Sequence, residues 1–340
     1  FPSELNRRVT SARPARNIRM LETTSVGSFP KPDYLVKARN AVHKGEMETA
    51  ALRSLEERAT SEWIKLQEDL GIDILVHGEM ERGDMTTFFT EQLTGYGISG
   101  LVRSYGNRYY RKPIIQDVLD RPNAMTVEFF KWAQSLTKKP VKGMLTGPYT
   151  MCDWSFDEHY ASRRDSVLAL AGIIHQEVKD LEAAGARYIQ IDEPAISTRP
   201  DEIDLAIEAM EIVTDGIKAT TISHICYGDF AKIYPCVLSL PVDVLDLEFA
   251  NSHFANLEIF RRPKFTKKVS VGVVDVHSHV IESVKEVREG IMKSLTVFDP
   301  EQVWIDPDCG LKTRSLQEAI DKLKVMVEAT REVKKELGLL

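Results

Sequence analysis

The chain has 340 residues, 43% of them hydrophobic, and a formal net charge of −7. That length carries one large domain or two small ones around a sizeable core, and the acidic balance argues against a nucleic-acid or anionic-membrane partner. No apolar run approaches the roughly 20 residues of a membrane span, and four cysteines in so long a chain do not make a disulfide framework, so a reducing cytoplasmic setting is expected.

Residues 1–20 carry Arg7, Arg8, Arg13, Arg16 and Arg19 against a single acid, Glu4. They lack the apolar stretch of a secretory signal and read as a solvated N-terminal arm. Beyond them, short β-rich runs alternate with amphipathic segments. The expected strands are 22–27, 72–77, 141–145, 188–191, 219–226, 244–248, 269–276 and 303–305. Helical spacing falls between them, at 47–70, 166–184, 203–213, 281–295 and 316–337. Within 166–184, Leu170, Ile174, Val178 and Leu181 recur at helical period, and Gly185 is placed to end the helix. Eight such β–α units imply a parallel sheet, and eight is the number that closes a (β/α)8 TIM barrel. An open doubly wound sheet is the alternative, but no glycine-rich phosphate loop follows the first strand. The expectation is therefore one α/β domain over residues 21–340. The segment 79–140 exceeds what a barrel needs. It holds Gly95, Gly97, Gly100 and Gly106 and one helix near 126–136, and reads as a long loop after strand 2 on the active face.

The polar residues fall at the ends of the expected strands: Ser28, His77 with Glu79, Asp192, His224 with Cys226, Glu248, Asp275 with His277, and Cys309. In a barrel these ends open on one face, where polar side chains read as catalytic rather than structural. Four of them form a donor set for one metal. His224 and Cys226 lie two apart on a strand and so share a face, and Glu248 and Cys309 end other strands. Two thiols, an imidazole and a carboxylate suit Zn2+, and a thiol substrate could displace the carboxylate. The other cysteines, Cys152 and Cys236, are assigned as small buried hydrophobes. Glu248 could instead act as a helix cap. Asp275 lies two residues before His277 and could fix its tautomer. His279 makes a further H-x-H pair, a weaker metal candidate. Trp154 and Trp304 read most simply as core or rim aromatics.

Several motifs carry a resemblance. Val26-Gly-Ser-Phe-Pro30, His77-Gly-Glu-Met-Glu-Arg82, Lys142-Gly-Met-Leu-Thr-Gly-Pro148, Asp153-Trp-Ser-Phe156, Ile191-Asp-Glu-Pro-Ala195, His224-Ile-Cys226, Asp275-Val-His-Ser278 and Asp306-Pro-Asp-Cys-Gly-Leu-Lys-Thr-Arg314 occur in this order. Over about residues 20–335 the chain resembles the catalytic C-terminal half of cobalamin-independent methionine synthase. The resemblance implies a TIM barrel that transfers a methyl group to the sulfur of homocysteine. It implies zinc ligands His224, Cys226, Glu248 and Cys309. Glu79 and Asp192 would grip the homocysteine ammonium, and the backbone of Val26, Gly27 and Ser28 its carboxylate. His277 would be the acid near the methyl donor, with Trp154 and Thr198 as donor contacts.

Two departures shape the donor expectation. Family members carry a second, N-terminal barrel not seen in these residues, and continue Asp-Glu-Pro-Ala with Leu-Arg-Glu-Gly. Here that stretch reads Ile196-Ser-Thr-Arg199, with Thr198 at the position of the pterin-binding acid. The expected donor is therefore methylcobalamin, free or on a partner corrinoid protein. The alternatives are 5-methyltetrahydrofolate with the same reaction, or methyl transfer to another small thiol.

Overall fold

The fold is given by a computed structural model that describes residues 20–103 and 109–340. The N-terminal arm expected over residues 1–20 lies, apart from Met20, outside the described residues. Ten strands occur among the described residues: β1 (Glu22–Thr23), β2 (Thr94–Arg103), β3 (Tyr109–Asp120), β4 (Gly143–Thr146), β5 (Phe156–Asp157), β6 (Tyr188–Asp192), β7 (Thr220–Ile225), β8 (Val244–Leu247), β9 (Lys268–Gly272) and β10 (Val303–Asp306). Seven of them form a parallel sheet in the order β1-β10-β9-β8-β7-β6-β4. Strands that neighbour in sequence mostly neighbour in space, as crossover helices of one hand require. The result is an α/β fold with a curled parallel sheet.

The expected second strand, 72–77, is not a continuous strand. Its pairing is reduced to single bridges, Leu75 with Val141 and Gly78 with Ser28. At the edge of β1 the Asp73 carboxylate accepts the Thr23 N–H at 2.9 Å and its hydroxyl at 3.0 Å. Backbone hydrogen bonds still run to both sides. Ile74 N–H donates to Thr23 O at 3.0 Å, Leu75 N–H to Pro140 O at 2.8 Å, and Lys142 N–H to Leu75 O at 2.9 Å. The segment thus lies between the two edges of the seven-stranded sheet.

The long segment after it is not a plain loop. β2 and β3 form an antiparallel hairpin, extended by β5 into a second, three-stranded sheet. The helix Val127–Ser135 follows, where a helix was expected. Expected strand 269–276 stops at Gly272 and hands 273–276 to the loop that carries His277.

The helices follow the expected periodicity. Arg163–Ala183 starts at Ser162, whose hydroxyl accepts from Asp165 N–H, and buries Leu170, Ile174, Val178 and Leu181. Gly185 adopts a left-handed φ of 98° just past its end, a conformation that costs glycine little. Val284–Ser294 and Leu316–Glu336 each begin with a capping box, Ser283 with Glu286 and Ser315 with Glu318. Their buried faces join the hydrophobic core, through Val287 and Ile291 in the first and Ala319, Leu323 and Met326 in the second. Among the described residues no helix is long and apolar enough to cross a membrane.

Candidate metal and substrate site

β7 is buried at every residue from Thr221 to Ile225, so its side chains meet the sheet interior or the helices. His224 lies beside Asp246 in the parallel register of β7 and β8. That register brings His224 Nδ1 to 3.0 Å from Asp246 Oδ1. A carboxylate on one ring nitrogen presents the other to a metal, the usual outer-shell device for ligating histidine. His224 Nε2 is buried and has no hydrogen-bond partner. Burial opposes the imidazolium charge, but Asp246 and Cys226 outweigh it and raise the His224 pKa well above its ordinary value.

Cys226 follows β7 directly, and its sulfur lies 4.0 Å from that of Cys309, in the loop after β10. Ligand atoms of His224, Cys226 and Cys309 all lie within 4.8 Å of one another. The contact between the sulfurs holds the Cys309 thiol well below its usual range and pushes Cys226 well above it. Glu248, the first residue after β8, stands just outside this cluster. Its Oε1 accepts from Tyr227 N–H at 2.9 Å. Its Oε2 is buried without a hydrogen-bond partner and lies 4.0 Å from His277 Nε2. Two orphaned buried atoms, an imidazole nitrogen and a carboxylate oxygen, flank two close sulfurs. Such a donor set fits a tetrahedral zinc ion.

The loops around the cluster are pinned. Asp308 accepts backbone N–H groups of Phe249 at 2.8 Å and Ala250 at 2.9 Å, and so fixes the turn that follows Glu248. Burial pushes the Asp308 carboxyl up to about 7, and those N–H donors oppose the rise. Gly228 packs so tightly on Ser197 that a Cβ would come within 2.2 Å of it. Tyr227 adopts a left-handed φ of 57°, a strained state for a non-glycine residue. Its hydroxyl lies 3.3 Å from His277 Nδ1.

His277 is therefore held by Tyr227 and faces Glu248. Asp275 does not pair with its ring: Asp275 Oδ1 accepts the His277 backbone N–H at 2.8 Å and shapes the turn instead. Glu248 first, then Cys309 and Asp275, raise the His277 pKa above its ordinary value against the effect of burial. His279 is turned away to the surface, where Nδ1 meets Glu318 at 2.8 Å.

The expected substrate residues converge beside the cluster. Gly310, next to Cys309, lies against Ser28, where a Cβ would come within 2.1 Å of Ser28 Oγ. At Gly27 a Cβ would come within 3.0 Å of Glu79 Oε1. Glu79 holds a left-handed φ of 57° and lies 3.6 Å from Arg82. Asp192 Oδ1 accepts the His224 backbone N–H at 3.2 Å. Burial first, and the nearby Asp246 and Glu79 charges, raise the Asp192 carboxyl to about 7, with His224 opposing. The Val26–Ser28 backbone, two carboxyls and the sulfur cluster thus share one site. A cavity of about 330 Å³ opens beside Glu248, lined in part by Tyr227, Asn251, Ser252 and Asn256.

Trp154 ends the helix Pro148–Asp153 and is 37% exposed. Thr198 donates its hydroxyl to Ala195 O at 3.0 Å inside the short turn Pro194–Thr198. Trp304 is buried in β10, as expected of a core aromatic, and Cys152 is buried too. Cys236 is exposed rather than buried, because it starts a short surface turn after β7. Sequence reasoning passed over Tyr227, Asp246 and Asp308. The signal for Asp246 was present, since it lies two residues before Glu248 on the same strand face.

Glu193 completes the frame. It is fully buried and accepts from Tyr149 N–H at 2.9 Å, Thr150 N–H at 2.8 Å and Thr150 Oγ1 at 2.7 Å. Burial raises its pKa from 4.5 to about 7 despite these donors. A carboxyl raised on folding favours the folded state most below its unfolded pKa, and that contribution is lost as pH rises through the folded value. Thermal stability should therefore fall as pH rises through about 7. Glu193→Gln should flatten this slope and cost about 1–3 kcal/mol by leaving a buried donor poorly paired. Melting curves of both proteins from pH 5 to 8 check it.

The family model described as the catalytic domain of cobalamin-independent synthase matches residues 21–332. A Lactococcus lactis protein named 5-methyltetrahydropteroyltriglutamate–homocysteine methyltransferase is 41% identical over 348 aligned positions, covering 98% of this chain and 46% of that protein. A Thermotoga maritima protein of the same name is 40% identical, over 94% of this chain and 45% of that one. The chain spans about half the length of the curated relatives it matches. The structure of a B12-independent methionine synthase from Shewanella sp. W3-18-1, in complex with selenomethionine, is 30% identical with a TM-score of 0.85, covering 95% of this chain and 100% of that one. These findings overturn the expected methylcobalamin donor and corrinoid partner. The relatives are named for a folate donor and the family for its independence of cobalamin. Thr198 in place of an acid was too local a signal to set the donor, because its hydroxyl is engaged within its own turn. By its match over residues 21–332, this chain belongs to the cobalamin-independent synthase family and carries its catalytic domain.

Proposed function

We propose that the chain transfers a methyl group from N5 of a 5-methyltetrahydropteroylglutamate to the sulfur of homocysteine, forming methionine. The carrying observation is the buried convergence of His224 Nε2, left without a partner while Nδ1 bonds Asp246, with two sulfurs 4.0 Å apart. The hydrogen bonds of segment 72–78 to both sheet edges support a closed (β/α)8 barrel, built as one domain over residues 21–340.

His224, Cys226, Cys309 and Glu248 are the residues that would hold zinc. When bound, zinc keeps a thiol deprotonated at neutral pH while thiolate ligands preserve its nucleophilicity. Glu248 is the ligand with room to leave, since it borders the cavity and already bonds Tyr227 N–H. Glu79 and Asp192 receive the homocysteine ammonium, and the backbone of Val26, Gly27 and Ser28 receives its carboxylate. Two anions at an ammonium distinguish an amino-acid thiol from a plain or anionic thiol. Sulfur then attacks the methyl carbon, the bond from that carbon to N5 breaks, and its electron pair stays on N5. His277 supplies the proton that makes N5 a better leaving group. Trp154 and Thr198 line the donor side of this reading.

The direct test is methionine formation from homocysteine and the triglutamyl methyl-folate by zinc-loaded protein. No methionine from this pair overturns the reading. A sharper check uses Glu79→Gln. It should raise the KM for homocysteine by an amount worth about 1.5–3 kcal/mol and leave the methyl-folate KM nearly unchanged. Equal rises in both would reject the ammonium assignment.

A further inference from the structure

Below the sulfur cluster, inside the curled sheet, lies a polar layer that the metal and substrate assignments draw on only through Asp246. Lys142, Gln190, Asp246 and Asp306 are all at most 1% exposed. Lys142 Nζ donates to Gln190 Oε1. Gln190 Nε2 in turn donates to the Val26 carbonyl at 2.8 Å. Asp246 and Asp306 are the strongest of the carboxylates acting on Lys142, and Asp246 also holds His224. Burial lowers the Lys142 pKa and these carboxylates oppose it, and the hydrogen bond to Gln190 ties Lys142 to this layer. The two neighbours fix which end of the Gln190 amide faces which. The Val26 carbonyl can only accept, so it must meet the NH2, and the amide oxygen is left to face Lys142 Nζ.

We propose that Gln190, anchored by Lys142, is a positioning residue that makes the site selective for a thiol bearing an α-carboxylate. The inference rests on the homocysteine reading above and deepens it. The argument is the planarity of one peptide. The Val26 C=O and the Gly27 N–H belong to the same trans unit and point in opposite directions. Gln190 draws the carbonyl down into the sheet interior, so the Gly27 N–H points away from that layer. Gln190 and Asp192 lie two apart on β6 and share a face. The N–H therefore points toward the strand end, where Asp192 stands. Glu79 Oε1 lies beside Gly27, within 3.0 Å of where a Cβ would sit. A carboxylate on the Gly27 N–H and an ammonium on Glu79 and Asp192 then belong to one Cα. The Gln190 amide also favours the Asp192 carboxylate, but Glu79 does not depend on it. Without Gln190 the peptide loses its anchor, and the carboxylate loses its aligned donor while the ammonium keeps Glu79.

The test compares homocysteine with 3-aminopropane-1-thiol, which is homocysteine without its carboxylate. Binding of each to zinc-loaded protein is measured by calorimetry, alongside zinc content and the methyl-folate KM. The unaltered protein should prefer homocysteine. Gln190→Met keeps the volume and removes both hydrogen bonds. It should weaken homocysteine binding about tenfold, the value of one well-placed hydrogen bond to a charged group, and leave the aminothiol within about twofold. Gln190→Glu keeps the Lys142 contact but cannot donate to Val26, and should show the same selective loss. It also covers the case in which the methionine variant does not fold. A preference that survives in the folded variants overturns this inference alone, as does an equal weakening of both thiols. No preference in the unaltered protein overturns it together with the homocysteine assignment.

Discussion

Cys309→Ser is expected to strip the protein of most of its zinc and of all measurable methionine formation. The two sulfurs are the soft donors of the set, 4.0 Å apart, and a serine hydroxyl stays protonated where a thiol ionises. Loss of a mere outer-shell partner weakens metal binding about 10–100-fold, so loss of a ligand should exceed that. The fold should survive. Cys309 lies in the loop after β10, while the β10 strand residues Val303, Trp304 and Ile305 carry the packing. Circular dichroism unchanged from the parent, with metal content measured by mass spectrometry, separates loss of metal from loss of fold. A Cys309→Ser protein that keeps its zinc and its turnover would sink the metal-site assignment.

The cluster of His224, Cys226 and Cys309 was legible because its chemistry is written in residue types at strand ends. His224 and Cys226 share a face by the two-residue period of a strand, and Glu248 and Cys309 close other strands. The helices were legible by the same token, since Leu170, Ile174, Val178 and Leu181 repeat at helical spacing. The hairpin of β2 and β3 was not. Glycines at 95, 97 and 100 lower strand propensity and read as loop, and only cross-strand pairing with residues 109–120 makes the hairpin visible. The segment 72–78 misled in the opposite sense. Its β-branched residues promise a strand, but its pairing is limited to single bridges.

The second-layer residues were hidden for a different reason. Lys142 and Gln190 lie inside strands or next to them, where a single sequence shows an interruption of an apolar run and not its partner. Tyr227 gives no sign of its strained backbone until the Cys226 turn is seen between Ser197 and Glu248. The donor was misjudged because a second barrel not seen in these residues and one residue, Thr198, were weighed against a site spread over several loops. In the proposed reaction, a leaving group that needs a proton gives His277 its role.

His277→Gln should therefore lower kcat for methyl transfer from the folate by about 100-fold or more, the range for loss of a general acid. N5 leaves as a strongly basic amide anion unless it gains a proton, so the barrier without an acid is high. The His277 ring is set for that task. Tyr227 holds Nδ1 at 3.3 Å, and Nε2 is buried with no hydrogen-bond partner, 4.0 Å from Glu248. Glu248, ahead of Cys309 and Asp275, holds the ring pKa above its ordinary value, which favours the imidazolium form. Glutamine fills a similar space and can donate a hydrogen bond but not a proton. Zinc content and the KM for homocysteine should stay close to those of the parent. Alkylation of homocysteine on the protein by methyl iodide should proceed equally in both, because iodide leaves without a proton. If His277→Gln slows the iodide reaction as much as the folate reaction, the residue orients the sulfur and is not the acid. If it slows neither, the proton reaches N5 by another route, and the Tyr227 hydroxyl beside it becomes the next group to change.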